Sequence, residues 1–152
     1  MANINTSYRN ADRVGRPAFE SLDTYVPSAL LAGAEPGIQP PIRLLMGDNL
    51  SLAQFQVVGR DVNKKLVPLT YAGLIANDAT KIVPVGIMAH AAVSGANNTT
   101  QFGNVIYTGC FATEGALIWD ASFDTDAKKE EAFIGAPTPT QIVVRRRLAT
   151  TA

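Results

Sequence analysis

Apolar and polar residues alternate over short runs from residue 42 onward, which predicts strands rather than helices. Ile42–Met46 and Leu52–Val58 flank Gly47-Asp48-Asn49, a pattern that predicts a hairpin. Asn63-Lys64-Lys65 predicts a second polar turn, followed by a strand over Leu66–Tyr71 that Pro68 confines to an edge. Ile82–Val93 is rich in Val, Ile and Ala and reads as the most buried strand, with Gly86 marking a bulge or a close backbone approach. Ser94–Thr100 is a polar loop. Val105–Phe111 and Leu117–Trp119 read as two further strands, and Gln141–Val144 as the last.

One helix is predicted, over residues 124–133. Asp124 or Thr125 caps its start and Gly135 ends it in a left-handed conformation. Phe123, Ala127 and Ile134, with Phe133 beside them, are placed toward the core, and Lys128, Lys129, Glu130 and Glu131 toward solvent. Pro137 and Pro139 force an extended turn before the last strand.

Residues 1–41 follow no such period. Gly15, Pro17, Pro27, Gly33, Pro36, Gly37, Pro40 and Pro41 interrupt helix and strand alike. Apolar residues still punctuate this stretch: Phe19, Leu22, Tyr25, Val26, Leu30 and Leu31. Apolar beads on an irregular string predict a segment that docks onto another surface. The expected division is an extended N-terminal arm over 1–41 and a β-rich domain over 42–152. The fold class expected is β-rich α+β: a small barrel-like or sandwich-like domain with one short helix. Fully extended, the arm spans roughly 130 Å at ~3.3 Å per residue.

Composition narrows the function classes. The 152 residues suffice for one domain with a core. Charged residues are 17%, below the usual quarter, which suits a surface partly buried in an assembly. The formal net charge is zero, so nothing steers the whole protein toward nucleic acid or an anionic membrane. Cys110 is the single cysteine, so no internal disulfide forms. The polar start Met1–Tyr8 does not read as a signal peptide, and the longest apolar run is too short for a membrane helix. Synthesis in the cytosol is the expectation.

No phosphate loop or dinucleotide fingerprint occurs. His90 is the only histidine, which excludes sites built on paired histidines. A His90–Cys110 dyad competes with a plain reading, a core-edge histidine and a small buried thiol, and the plain reading is preferred. Asp120, Asp124 and Asp126 are better explained by helix capping than by calcium. Arg145-Arg146-Arg147 reads as a solvated strand end. Tyr107, Phe111 and Trp119 read as core or subunit face before they read as a stacking platform. No catalytic residue, metal site, cofactor or small-molecule substrate is expected.

Lys65-Leu66-Val67, Val85-Gly86-Ile87, Thr99-Thr100, Ile106-Tyr107, Gly109, Phe111, Leu117 and Trp119 follow one another in this order, and Lys128-Lys129, Ala132-Phe133, Gly135 and Ile142-Val143-Val144 supply a helix, its cap and a final strand. Over roughly residues 54–144 this order resembles that of the head decoration (cement) proteins of lambda-like tailed phages. The leading region is longer than in the lambda protein, and the stretch 135–140 carries extra prolines. The resemblance implies a homotrimer on the outer surface of the expanded virion shell, bound to the major capsid protein and stabilising it against packaged DNA. It implies no nucleic-acid or membrane partner. The residues assigned to capsid docking are Phe19, Leu22, Tyr25, Val26, Leu30, Leu31, Ile42, Leu44 and Met46, with Ile42–Met46 or the beads before it adding a strand to a capsid sheet edge. The competing readings are another structural virion part, in the tail or as a dimeric cement module, and a carbohydrate-binding β-module.

Overall fold

A computed structural model describes residues 30–146. The domain is β-rich, with two short helices after residue 42 among the described residues. A five-stranded antiparallel sheet is its centre, with strand order β1-β7-β5-β3-β4. The strands are β1 (Ile42–Leu45), β3 (Val57–Arg60), β4 (Leu66–Pro68), β5 (Val83–Met88) and β7 (Phe102–Ile106). A small antiparallel pair joins β2 (Ser51–Leu52) to β6 (Ala92–Val93), and a parallel pair joins β8 (Thr108–Ala112) to β9 (Gln141–Arg145).

The run at 82–93 explains the centre. Residues 84–88 are buried throughout, because β5 has a partner on each side and is covered on both faces. Pro84 lacks the N–H that a central strand needs. The ladder absorbs this with a bulge: Val58 pairs Gly86 and Gly59 pairs Pro84, so Val85 is the extra residue. The strand ends at Met88, and Ala92–Val93 form β6 in another sheet. Met46, Leu52, Val58, Leu66, Val85, Met88 and Val105 make one buried cluster, with Ile42, Leu44, Leu50 and Ala92 packed against it.

Several expectations are corrected. The hairpin across Gly47–Asn49 does not form: β1 pairs β7, with Ile42 opposite Val105 and Leu45 opposite Phe102. Leu52–Val58 is not one strand, because residues 53–56 turn between β2 and β3. The run 105–111 breaks at Tyr107, which separates β7 from β8. Tyr107 and Phe111 therefore do not share one strand face. Leu117–Trp119 makes only an isolated bridge, Gln56 to Ile118. The polar turn at 63–65 does form, as the β3–β4 hairpin with Lys64 at φ 64°, and β4 lies at the sheet edge.

The first short helix, α1 (Tyr71–Ile75), takes residues that read as the end of a strand. The Thr70 hydroxyl caps it by accepting from Gly73 N at 3.1 Å. The second, α2 (Asp126–Glu131), lies in the long connection that the parallel β8–β9 pairing requires. Thr125 is its N-cap and Gly135, at φ +78°, turns the chain afterward. Phe123, Ala132 and Phe133 are buried, but Ala127 is exposed and Ile134 is 79% exposed. The helix is shorter at both ends than the predicted 124–133, and Ile134 lies in the turn that follows it.

The compact unit begins at Leu31, ahead of the expected start at residue 42. Leu31 forms an antiparallel bridge with Phe111, and Ala32 N donates to Cys110 O at 3.0 Å. Gln39 N donates to the Thr108 hydroxyl at 3.0 Å, and that hydroxyl donates to Gly37 O at 2.8 Å. Residues 31–39 thus form a strap along the free edge of β8.

Candidate docking surface

The proposed docking residues separate into three groups. Phe19, Leu22, Tyr25 and Val26 lie outside the described residues. Leu30 and Leu31 are half-buried, and Leu31 belongs to the strap. Ile42 and Leu44 are half-buried on β1, whereas Met46 is fully buried. Met46 cannot join a partner's sheet. It bridges Leu66 in parallel, and its N–H donates to Gln101 O at 3.1 Å. This bridge draws the chain after β1 toward β4, the opposite edge of the same sheet.

Ile42 and Leu44 open instead onto a groove of about 260 Å³. Its apolar side is Ile42, Leu44, Val83 and Val85, and its polar rim is Arg60, Asp61 and Lys64. Residues 137–140 form the remaining wall, seated by the Thr140 hydroxyl donating to Val85 O at 3.0 Å. The rim is fixed locally: Arg60 Nε donates to Lys64 O at 3.1 Å, and Asp61 Oδ1 accepts from Lys65 N at 2.8 Å. The rim residues all come from the β3–β4 hairpin, and nothing in the sequence signalled that this turn lies beside β1 and residues 137–140. Beside the groove β1 is an edge strand, so one row of its backbone groups has no strand partner among the described residues.

A buried polar network holds the loop between β6 and β7. Asn98 Nδ2 donates to Met46 O and to Gln101 O, both at 2.9 Å. Its Oδ1 accepts from Thr100 N at 3.1 Å and from Gln101 N at 2.8 Å. The Ser94 hydroxyl donates to Gly47 O and accepts from Leu50 N. Asn98→Ala strands several of these groups, and about 3 kcal/mol of stability should be lost in urea unfolding at neutral pH.

Asp48 adds a pH dependence. Lys65 Nζ, at 2.8 Å, and Asn98 N, also at 2.8 Å, donate to its Oδ1 and hold its carboxyl below the usual range. A lowered folded value means that the stabilisation exists above the unfolded value near 3.8 and fades as pH falls through the folded one. Asp78 behaves alike, held down by the Thr80 hydroxyl and N–H. The melting temperature should therefore fall on acidification below about pH 4. Asp48→Asn should flatten that acid limb, as a melting series against pH would read.

The chemical candidates disperse. Cys110 is buried on β8, while His90 is exposed in the turn after β5, and no hydrogen bond joins them. His90 is thus not at the core edge. Asp120 accepts from Ser122, Asp124 pairs Lys128 at 3.0 Å, and Asp126 faces Lys129 at 3.9 Å and Arg146 at 3.8 Å. Among the described residues no group of three or more His, Cys, Asp or Glu is placed to hold a metal ion. Trp119 is half-buried, its ring 5.1 Å from that of Phe123, which meets Tyr71 edge-on at 5.7 Å. The Lys128 ammonium sits 4.7 Å from the Tyr71 ring centre. Arg145 and Arg146 are exposed, and Arg147 lies outside the described residues. No described helix is long and apolar enough to cross a membrane.

No known family model matches the chain, and no characterised protein matches it in sequence.

Proposed function

We propose that this protein is a decoration, or cement, protein of a tailed-phage head. It binds the outside of the expanded shell as homotrimers, through the major capsid protein, and reinforces it against packaged DNA. The observation that carries the reading is the residue order of the resemblance, now seen against one connected substructure. Gly109 and Phe111 lie on β8, Leu117 and Trp119 on the connection, Lys128-Lys129 on α2, and Ile142–Val144 on β9. The α2 helix packs on β9, and Glu130 Oε1 accepts from Arg146 N at 2.9 Å. The domain is read as a barrel-like β module, since the Met46–Leu66 bridge brings the two sheet edges together at one end.

In this reading the module supplies a rigid body and the residues ahead of Leu31 supply the attachment. Ile42–Leu45 pairs β7 on one side and has only its outer edge open among the described residues, so in this reading the donated segment is the apolar set Phe19, Leu22, Tyr25 and Val26, with the outer edge of β1 as the alternative. A trimer presents three such segments at once, so weak single contacts gain avidity. A ligand that binds only the expanded lattice stabilises that lattice by mass action. The carbohydrate-module reading has less support: it needs an open aromatic platform, and Trp119 is packed on Phe123.

Two measurements test the proposal. Light scattering on purified protein is expected to give three times the chain mass. Saturating DNA-filled heads with the protein should raise the temperature at which they release DNA. A monomeric mass with no change in release temperature would remove the proposal.

A further inference from the structure

One edge of β8 is paired with β9 and the other is closed by the strap, residues 31–39. Two facts bear on how that edge is filled. First, it does not tolerate vacancy. Without the strap, β8 and β9 form a two-stranded parallel ribbon, an arrangement with little stability of its own. Beneath the strap lie Cys110, 1% exposed, and Phe111, fully buried. Second, the strap is lightly held. Gly33, Ala34, Glu35, Gly37, Ile38 and Gln39 are exposed, so backbone-directed bonds do most of the holding.

An edge that requires a strand, and a strand held mainly through its backbone, can be exchanged between copies. A second copy offers the same atoms in the same register. The strap's contacts then cancel between the closed and exchanged forms, and the hinge and the effective concentration decide. The hinge is Gln39-Pro40-Pro41, immediately before β1. Two prolines confine it to extended conformations. In an oligomer held by any other interface, a neighbour's strap is present at an effective concentration comparable to the chain's own.

We infer that the outer edge of β8 is an acceptor site for residues 31–39 of a second copy, so that neighbouring copies are tied together by exchanged straps. The inference rests on the self-association proposed above and not on the capsid partner.

The strap geometry supplies the test. A Cβ added at Gly33 lies 3.8 Å from Cys110 Cβ and 3.2 Å from its Sγ, within disulfide range. A donor chain carrying Gly33→Cys and Cys110→Ser is mixed with the unaltered chain, incubated and oxidised. A disulfide between positions 33 and 110 can then form only between chains. The expected product is a covalent heterodimer on a non-reducing gel, with the 33–110 link confirmed by peptide mapping. The result that overturns the inference is internal closure of a Gly33→Cys single variant with no 33–110 link in the mixture. Absence of that link in both samples also overturns it. Light scattering on the same samples separates the failures. Trimers without a cross-chain link remove the exchange alone, whereas a monomeric mass removes the self-association as well.

Discussion

Deleting residues 2–29 should abolish shell binding while leaving a folded oligomer. The apparent affinity for expanded heads should fall at least about a hundredfold, because the loss is multiplied over the linked segments of one oligomer. The cut is placed before Leu31 for a structural reason. Residues 31–39 close β8 and cover Cys110 and Phe111, so a deletion through residue 41 would damage the module along with its attachment. Circular dichroism and light scattering on the 2–29 deletion should match the full chain. If the deletion still decorates heads at full occupancy, the attachment is elsewhere, and the groove beside Ile42 and Leu44 becomes the next candidate.

Gly86→Ala should unfold the module or come close to it. A Cβ at this position would lie 2.2 Å from Ile106 O, 2.6 Å from Val105 Cγ1 and 3.1 Å from the Ile106 carbonyl carbon. Two of those three atoms are backbone and cannot rotate away. The strand that holds them, β7, is fixed on its far side by β1. Relief therefore requires β5 and β7 to separate at the centre of the sheet. The cost should be about 3 kcal/mol or more, at the upper end for overpacking. Gly95→Ala is the control, since nothing lies within 4 Å of its added Cβ. Its stability should stay within about 1 kcal/mol of the original. Urea unfolding of the two variants side by side reads both.

The sequence made particular elements legible for identifiable reasons. Gly135 was readable as a helix stop because few residues tolerate a left-handed φ, and Thr125 as a cap because its hydroxyl substitutes for a missing turn. The centre at 83–88 was readable because a strand covered on both faces is apolar throughout. What stayed hidden is mostly pairing. An alternating pattern reports which face is covered and carries no record of the neighbour. Hence β1 was assigned a hairpin partner close in sequence, when its partner β7 begins at Phe102.

The break at Tyr107 was hidden because β7 and β8 follow one another with a single residue between them and both are largely buried. Leu117 is buried and Trp119 packs on Phe123 while Ile118 is exposed, and such packing does not require a strand. The docking set was mixed for a similar reason. Ile42, Leu44 and Met46 repeat every two residues, yet the bridge to Leu66 buries Met46 completely and leaves the other two at a groove. The strap was concealed by its Gly and Pro content, which signals irregular backbone even where that backbone bonds to a strand.

The most direct test of the account is co-sedimentation of the full chain with heads built from the capsid protein of the same genome, compared before and after expansion. The account predicts saturable binding to expanded heads, in multiples of three copies per site, and none to unexpanded heads. Equal binding to both forms, or no binding to either, would contradict it.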